Sequence, residues 1–335
     1  MSALCLDVGT YSIKAVSGHP GLKPEVERVI ELFNELGLSI PSEEAQIVQL
    51  SEKLATTIAD NKLPTKDVRL ALPESAVSTK IIELPRLTDA ELGSAIDWQA
   101  EQYIPIPPDE LSLEYKVLYR PPAKETGVKM RVLLVGARRS VIERFLEIFN
   151  RIGIEPRVLE TQVLSVLRTL QIKPEEPTSL LIHLGAATMT LAVINQGELA
   201  FVFNHMNGSQ MLTRALEQGV GLTTKQAEQY KRSYGLDETQ FEGKVKAALL
   251  PAANVIVDAL QKAMRFFANQ HQEAGIQRIL LSGGGVQLPG FAQYLSNQLG
   301  VEVLVVAPFA NASGKTPDRN QSALSVCMGL LMREL

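Results

Sequence analysis

The chain has 335 residues, a length that at roughly 150 residues per domain fits two domains, or one large domain with insertions, and excludes a single small module. Apolar residues make up 45% and charged residues 21%, ordinary globular usage well away from the disordered and low-complexity classes. The balance of 33 Lys+Arg against 37 Asp+Glu leaves a net charge of −4, which gives no basis for non-specific binding to nucleic acid or to anionic membranes.

Residues 3–16, Ala-Leu-Cys-Leu-Asp-Val-Gly-Thr-Tyr-Ser-Ile-Lys-Ala-Val, predict an apolar strand, a polar glycine turn and a second strand. The N-terminus, residues 1–6, has no basic region and no apolar run long enough for a signal peptide, and Asp7 and Gly9 interrupt it at once. The spacing of Ile47, Leu50, Leu54 and Ile58 predicts a helix over 43–59, and 68–72 a buried strand ended by Pro73. A block of different rhythm follows: a strand over 77–84, a helix over 89–102, and strands over 113–118 and 131–136. Thr88 with Glu91 is a capping box for that helix, and Ser140 with Glu143 is read as another for the next helix, whose stripe of Ile142, Phe145, Leu146, Phe149 and Ile152 ends at Gly153. Residues 104–108, Ile-Pro-Ile-Pro-Pro, cross between helix and strand in extended form.

A strand over 157–159 and a helix over 162–170 come next, and Lys173-Pro-Glu-Glu-Pro177 marks a boundary. Beyond it the patterns predict three strands reaching Phe203, a helix from Ser209, one over 223–234, and one over 244–272 broken or kinked at Pro251. A strand over 278–282 then enters Gly283-Gly284-Gly285, and a last helix covers 321–334. The most apolar stretch, 323–332, is half the ~18 residues of a membrane span. Cys5 and Cys327 have no second Cys or His at metal-ligand spacing, which fits a reduced, intracellular compartment.

Compared with itself, the chain repeats. Residues 179–192, Ser-Leu-Leu-Ile-His-Leu-Gly-Ala-Ala-Thr-Met-Thr-Leu-Ala, follow the plan of 3–16 at a constant offset of 176 residues, pairing Asp7 with His183, Gly9 with Gly185, Ser12 with Thr188 and Lys14 with Thr190. Two halves opening on the same hairpin are one reading; a chance match of two strand-glycine-strand units is the other.

Several residues could carry chemistry. Gly9 lets backbone N–H groups approach an anion, Thr10, Ser12 and Lys14 add hydroxyls and an ammonium, and Asp7 could hold a hydrated divalent cation; the alternative is an ordinary hairpin with a polar turn. Three consecutive glycines after a strand suit close passage past a flat group such as a base. Glu228 and Lys231 share a helix face, which by itself describes a solvated ion pair. The dinucleotide fingerprint fails at Leu288 and a P-loop fails at Phe309. His19, His183, His205 and His271 are scattered, and no catalytic triad or metal-binding helix motif is present.

In this order the pieces resemble the actin-like ATPase superfamily. Asp7-x-Gly9-Thr10-x-Ser12-x-Lys14 matches its first phosphate loop, residues 183–188 the second, Ser282-Gly283-Gly284-Gly285 the adenosine loop, and Glu228-x-x-Lys231 the adenosine-contacting helix of the heat-shock chaperones. The resemblance is closer to the PilM family of type IV pilus assembly proteins, through Leu70-Ala-Leu-Pro-Glu-Ser75, Ile96-Asp-Trp-Gln-Ala-Glu-Gln-Tyr-Ile-Pro105, Gly136-Ala-Arg-Arg-Ser-Val-Ile142 and residues 283–291.

The resemblance implies an α/β, two-lobed actin-like ATPase fold built of duplicated ribonuclease-H-like halves, with a strand-helix-strand-strand (SHS2-like) insert. Subdomain 1A would comprise 1–74 and 155–177, the insert, 1C, 75–154, and the second lobe 178–335, with its subdomain 2B at about 208–274. It implies ATP or ADP with Mg²⁺ in the interlobe cleft, Asp7 meeting the metal through water, phosphates between Gly9, Thr10, Ser12, Lys14 and Gly185, Thr188, Thr190, and the adenosine between Glu228, Lys231 and Gly283, Gly284, Gly285. The implied partner is the N-terminal tail of a PilN-like inner-membrane protein, with pilus motor components and self-association as further partners and no nucleic acid, for a cytoplasmic protein held at the inner face of the membrane through that partner. Two departures bear on chemistry. His183 stands where the family carries Asp, and an uncharged imidazole is a poor partner for the waters around Mg²⁺; Gln162 replaces an acidic residue in the crossing helix, where it could still orient a water. The expectation is ATP binding with weak or absent hydrolysis. The alternatives are an FtsA-like division protein, disfavoured because the chain stops at Leu335 without a membrane helix, and a superfamily small-molecule kinase, for which neither conspicuous loop supplies a base.

Overall fold

The computed structural model describes residues 1–125, 127–270 and 275–335. The first half opens with β1 (Ala3–Val8), β2 (Ser12–His19), β3 (Glu25–Phe33), α1 (Glu44–Asp60) and β4 (Val68–Leu72), followed by a 3₁₀ turn, Glu74–Ala76. Then come β5 (Val77–Leu84), α2 (Asp89–Tyr103), β6 (Leu111–Tyr119) and β7 (Met130–Arg138), and after them α3 (Arg139–Asn150), β8 (Val158–Thr161) and α4 (Gln162–Leu170). The second half contains β9 (Ser179–Leu184), β10 (Met189–Asn195), β11 (Glu198–His205), α5 (Gln210–Val220), α6 (Thr224–Ser233), α7 (Lys244–Gln270), β12 (Arg278–Ser282), α8 (Phe291–Leu299), β13 (Glu302–Val305), β14 (Ser313–Gly314) and α9 (Ser325–Leu331).

The strands form sheets ordered β14-β3-β2-β1-β4-β8, β11-β10-β9-β12-β13 and β5-β7-β6. The first two share a plan. In each, a hairpin pairs antiparallel with its third strand, and the hairpin's first strand pairs parallel with the next strand of the half. The repeat holds to the residue: Asp7 opposes Lys14 as His183 opposes Thr190, and Gly9 N–H donates to Ser12 O (3.1 Å) as Gly185 N–H donates to Thr188 O (2.9 Å). The chance-match reading of the repeat is therefore dropped.

Burial on both faces explains why β1 is apolar from Ala3 to Leu6. Leu4, Leu6 and Val8 face a core with α1 and α3, whereas Ala3 and Cys5 face a second core that also holds residues of β9, β10, α4 and α9. With side chains alternating along a strand, such a sequence must be covered on two sides. The second core joins the two halves, and its two helices touch closely: a Cβ built on Gly329 of α9 would lie 1.8 Å from Ser165 O of α4. Polar ties fix the same junction. Buried Arg69 binds Asp67 at 2.9 Å and donates to Leu330 O and Arg333 O, while Glu160 accepts from Ser165 and Arg168 and also takes Arg333.

Several expectations need correction. The Thr88/Glu91 capping box forms, but Ser140 and Glu143 do not cap α3. β7 runs directly into that helix, so Arg138 is the N-cap and Arg139 N–H donates to Glu110 O at 2.8 Å. Pro251 does not break α7, which is continuous around it from Lys244; the expected end of that helix at 272, and His271, lie outside the described residues. The last helix is a 3₁₀ turn, Gln321–Leu324, followed by α9. Strands β3, β13 and β14 and helix α8 had no counterpart in the sequence reading. Among the described residues no helix is long and apolar enough to cross a membrane.

Candidate functional site

The two hairpins meet across a cleft of about 1030 Å³, open to solvent. It is lined by Asp7, Gly9, Thr10, Ser12 and Lys14 from the first half, by Gly185, Thr188, Glu228, Lys231 and Gly283 to Gly285 from the second, and by Gln162 between them. Thirteen positions separated by as many as 278 residues thus line one space. Thr190 lies behind them in β10, 1% exposed, with a hydroxyl that has no hydrogen-bond partner among the described residues.

The first hairpin is held from below. Asn34 donates to Gly9 O at 2.8 Å, and Ser12 Oγ donates to Glu31 at 2.8 Å. Lys14 Nζ sits 3.4 Å from both Asp7 Oδ2 and Ser12 O, long contacts that leave its charge poorly matched within the protein. The second hairpin is anchored to the start of α5, with Ser209 N–H donating to Gly185 O at 2.8 Å and Gln210 N–H to Ala186 O at 2.9 Å.

Close approach explains the glycines. A Cβ on Gly9 would lie 2.8 Å from Ser12 O and one on Gly285 2.6 Å from Ser209 Cβ. Gly283 has φ +91°, a left-handed conformation that side chains resist. Gly284 differs: its Cβ would meet only Ala323 Cβ at 3.7 Å, so this position opens onto the cleft without steric need for glycine.

Glu228 and Lys231 are not a solvated pair. Their charged atoms lie 2.6 Å apart, Lys231 is buried, and Thr213 Oγ1 joins them, donating to Glu228 and accepting from Lys231, both at 2.8 Å. Burial opposes ionisation of Glu228, but Lys231, Arg232 and Thr213 outweigh it and hold the carboxyl below its usual range. Burial lowers the Lys231 pKa despite Glu228.

His183 lies at the base of the second hairpin with Nδ1 3.2 Å from Ser282 Oγ. Burial pulls its pKa down to about 4, so the imidazole is neutral at physiological pH. Gln162 is bonded at both ends of its amide: Nε2 donates to Asp7 Oδ1 at 2.6 Å and Oε1 accepts from Glu74 N–H at 3.2 Å. Among the described residues no group of three or more His, Cys, Asp or Glu side chains could hold a metal ion.

Sequence reasoning missed other cleft residues, notably Tyr11, Glu31, Arg232 and Asn320. The Arg232 guanidinium of α6 lies 5.0 Å from the Tyr11 ring centroid, bridging the halves at the cleft, and Asn320 donates to Glu31 at 2.6 Å. Arg232 and Tyr11 were adjacent to named residues; Glu31 and Asn320 carry no motif that would have marked them.

Duplicated α/β halves that present matching polar hairpins to one cleft define an actin-like ATPase fold. Residues 5–335 match the family described as type IV pilus assembly protein PilM, and the chain belongs to that family. It superposes on the structure described as the PilM-PilN type IV pilus biogenesis complex with a TM-score of 0.85 and 24% identity, covering 98% of this chain and 97% of that one. MreB5 of Spiroplasma citri bound to AMPPNP matches with a TM-score of 0.55 and 13% identity, covering 98% of this chain and 94% of that one. Cell division protein FtsA of Bacillus subtilis (strain 168) is 23% identical over 208 residues, 56% of this chain; the chain spans only 47% of that curated relative's length.

Proposed function

We propose that the chain is a nucleotide-binding scaffold of type IV pilus assembly, holding an adenine nucleotide in the interlobe cleft and the N-terminal tail of a PilN-like inner-membrane protein on its surface. The observation that carries this reading is the residue-for-residue repeat of the two hairpins across one cleft, with the loosely matched ammonium of Lys14 and the orphaned hydroxyl of Thr190 beside it. Phosphates fit between Gly9, Thr10, Ser12 and Lys14 on one side and Gly185 and Thr188 on the other, with Thr190 behind that wall rather than in it. The adenosine fits between Gly283 to Gly285 and the Glu228–Lys231 pair. The AMPPNP complex of MreB5, which shares the fold, supports this assignment. Mg²⁺ would arrive with the phosphates and meet Asp7 through water.

A bound ATP would supply the phosphoryl group for any turnover, and this chain's residues favour holding it over cleaving it. His183 is neutral where a carboxylate would order waters around Mg²⁺, and the amide of Gln162 is committed to Asp7 and Glu74 at both ends. Weak or absent ATPase activity follows.

The boundaries proposed for the parts are 1–74 with 155–177 for subdomain 1A, 75–154 for the insert, and 178–335 for the second lobe, with 208–274 as its outer part. The PilN partner is supported by family membership and by the PilM-PilN complex of the same fold. It would bring a cytoplasmic protein to the inner face of the membrane. The test is capture of a synthetic PilN-type N-terminal peptide by the purified chain, with and without ATP and Mg²⁺. Capture that exceeds a scrambled peptide and falls in Asp7→Ala is expected; no capture under either condition would overturn the partner.

A further inference from the structure

The insert is tethered to the wall of the cleft. Pro73 and Ser75 line the cleft, Glu74 lies between them in the 3₁₀ turn, and β5, the first strand of the insert, begins at Val77. Any displacement of that turn is carried into β5 within a few residues.

Glu74 is 1% exposed and bonds in three directions. Its Oε1 accepts from Val163 N–H at the start of α4 at 2.8 Å, and its Oε2 and main-chain oxygen each accept from Asn204 Nδ2 of β11 at 3.2 Å. Its own N–H donates to Gln162, whose other end holds Asp7. An unbroken hydrogen-bonded line therefore runs from Asp7 in the first hairpin, through Gln162 and Glu74, to Asn204 in the second half, and it passes through the connector of the insert.

We propose that Glu74 is a positioning residue that couples the occupant of the interlobe cleft to the insert, so that the spacing of Asp7 and Asn204 across the cleft sets the placement of the turn and of β5. This rests on the nucleotide reading of the cleft. The far end of the line is built to change partners. Among the described residues Asn204 Oδ1 is buried without a hydrogen-bond partner, and so is the hydroxyl of Thr190, directly opposite Asn204 in the sheet. A buried polar atom without a partner is costly, and a rotated Asn204 amide would turn Oδ1 toward Glu74, where a protonated carboxyl could donate to it. Burial raises Glu74 to about pH 7 against the hydrogen bonds of Val163, Asn204 and Thr161, so both forms of the carboxyl exist under physiological conditions. Two discrete arrangements of one buried contact are what a coupling element requires. The strand bearing Asn204 touches the insert a second time, where Glu198 pairs with Arg131 of β7.

The test uses the full chain. Calorimetry measures AMPPNP binding in Mg²⁺, and amide hydrogen exchange follows β5 and α2 with and without the nucleotide. In the wild type, AMPPNP should slow exchange in β5. Glu74→Ala and Asn204→Ala should still bind AMPPNP but lose at least about fivefold of that protection, the low end of allosteric coupling, and Glu74→Gln, which keeps an acceptor for Val163, should retain most of it. Asn204→Ala leaves the Glu74–Val163 bond in place and serves if Glu74→Ala does not fold. Equal protection in wild type and Asn204→Ala, or no protection in a wild type that binds AMPPNP, would overturn the coupling. A wild type that fails to bind AMPPNP would remove the nucleotide reading itself, and the coupling with it.

Discussion

Gln162 Nε2 donates to Asp7 Oδ1 across 2.6 Å, joining the start of α4 to the end of β1. The bond aims the Asp7 carboxylate from behind, and the same side chain satisfies Glu74 N–H. Gln162→Ala leaves both groups short of a partner in a buried site. A loss of about 1–3 kcal/mol is expected for unmade hydrogen bonds of this kind, read as a lowered urea midpoint with an unchanged slope. An unchanged midpoint would mean that the bond is not made in solution.

Two buried groups should oppose each other in the pH dependence of stability. His183 has its folded pKa lowered to about 4, so its contribution is fully present above its unfolded value near 6.5 and is lost as pH falls toward 4. Glu74 is raised to about 7, so its contribution is present below about 4.5 and is lost as pH rises through 7. Between about pH 4.5 and 6.5 the two slopes have opposite signs. Denaturant titrations across that window should show a steeper rise of stability with pH in Glu74→Gln than in the wild type. His183→Asn should tilt it the other way.

The Glu228–Lys231 pair predicts an asymmetry. Glu228→Ala strands a buried ammonium, and removal of one partner from a buried pair costs on the order of 3–5 kcal/mol. Lys231→Met costs less, because Glu228 keeps Arg232 at 2.9 Å and Thr213 at 2.8 Å. Thermal melts of the two variants would rank them, and equal losses would contradict the burial argument.

Two glycines separate folding from binding. Gly329→Ala would drive a methyl into Ser165 O where α4 and α9 cross, so the variant should be severely destabilised or fail to fold. Gly284→Leu should fold, since a Cβ there has ordinary contacts, yet fill the cleft where the adenosine is proposed to lie. A cooperative wild-type-like melt with lost nucleotide binding is the expected result for Gly284→Leu.

Much of this was legible in the sequence because it is local. Strands 68–72, 77–84 and 278–282 fall at their expected positions, since Pro73, Pro85 and Gly283 close them and leave little choice of boundary, and the helix 162–170 does so through its apolar spacing. The hairpin repeat was legible because Asp7-x-Gly9 and His183-x-Gly185 keep one spacing. β3 escaped because it is mostly half-buried or exposed and lacks a clean alternation. Glu74 escaped for another reason: its partners Gln162 and Asn204 lie 88 and 130 residues away, and no local pattern distinguishes a buried junction carboxylate from one on a turn. The burial that turns Glu228 and Lys231 from a surface pair into a cleft wall comes from Ser209 and Thr213 on α5 and its cap, which no i,i+3 spacing reveals.

We propose that this chain holds adenine nucleotide without spending it, and binding and turnover can be read in a single set of samples. Purified protein is titrated with ATP and Mg²⁺ by calorimetry, and phosphate release is followed in the same samples, beside Lys14→Met. The account predicts saturable binding in the wild type, weakened binding in Lys14→Met, and phosphate release too slow to register while the nucleotide stays bound. Brisk Mg²⁺-dependent hydrolysis, or no binding at all, would contradict it.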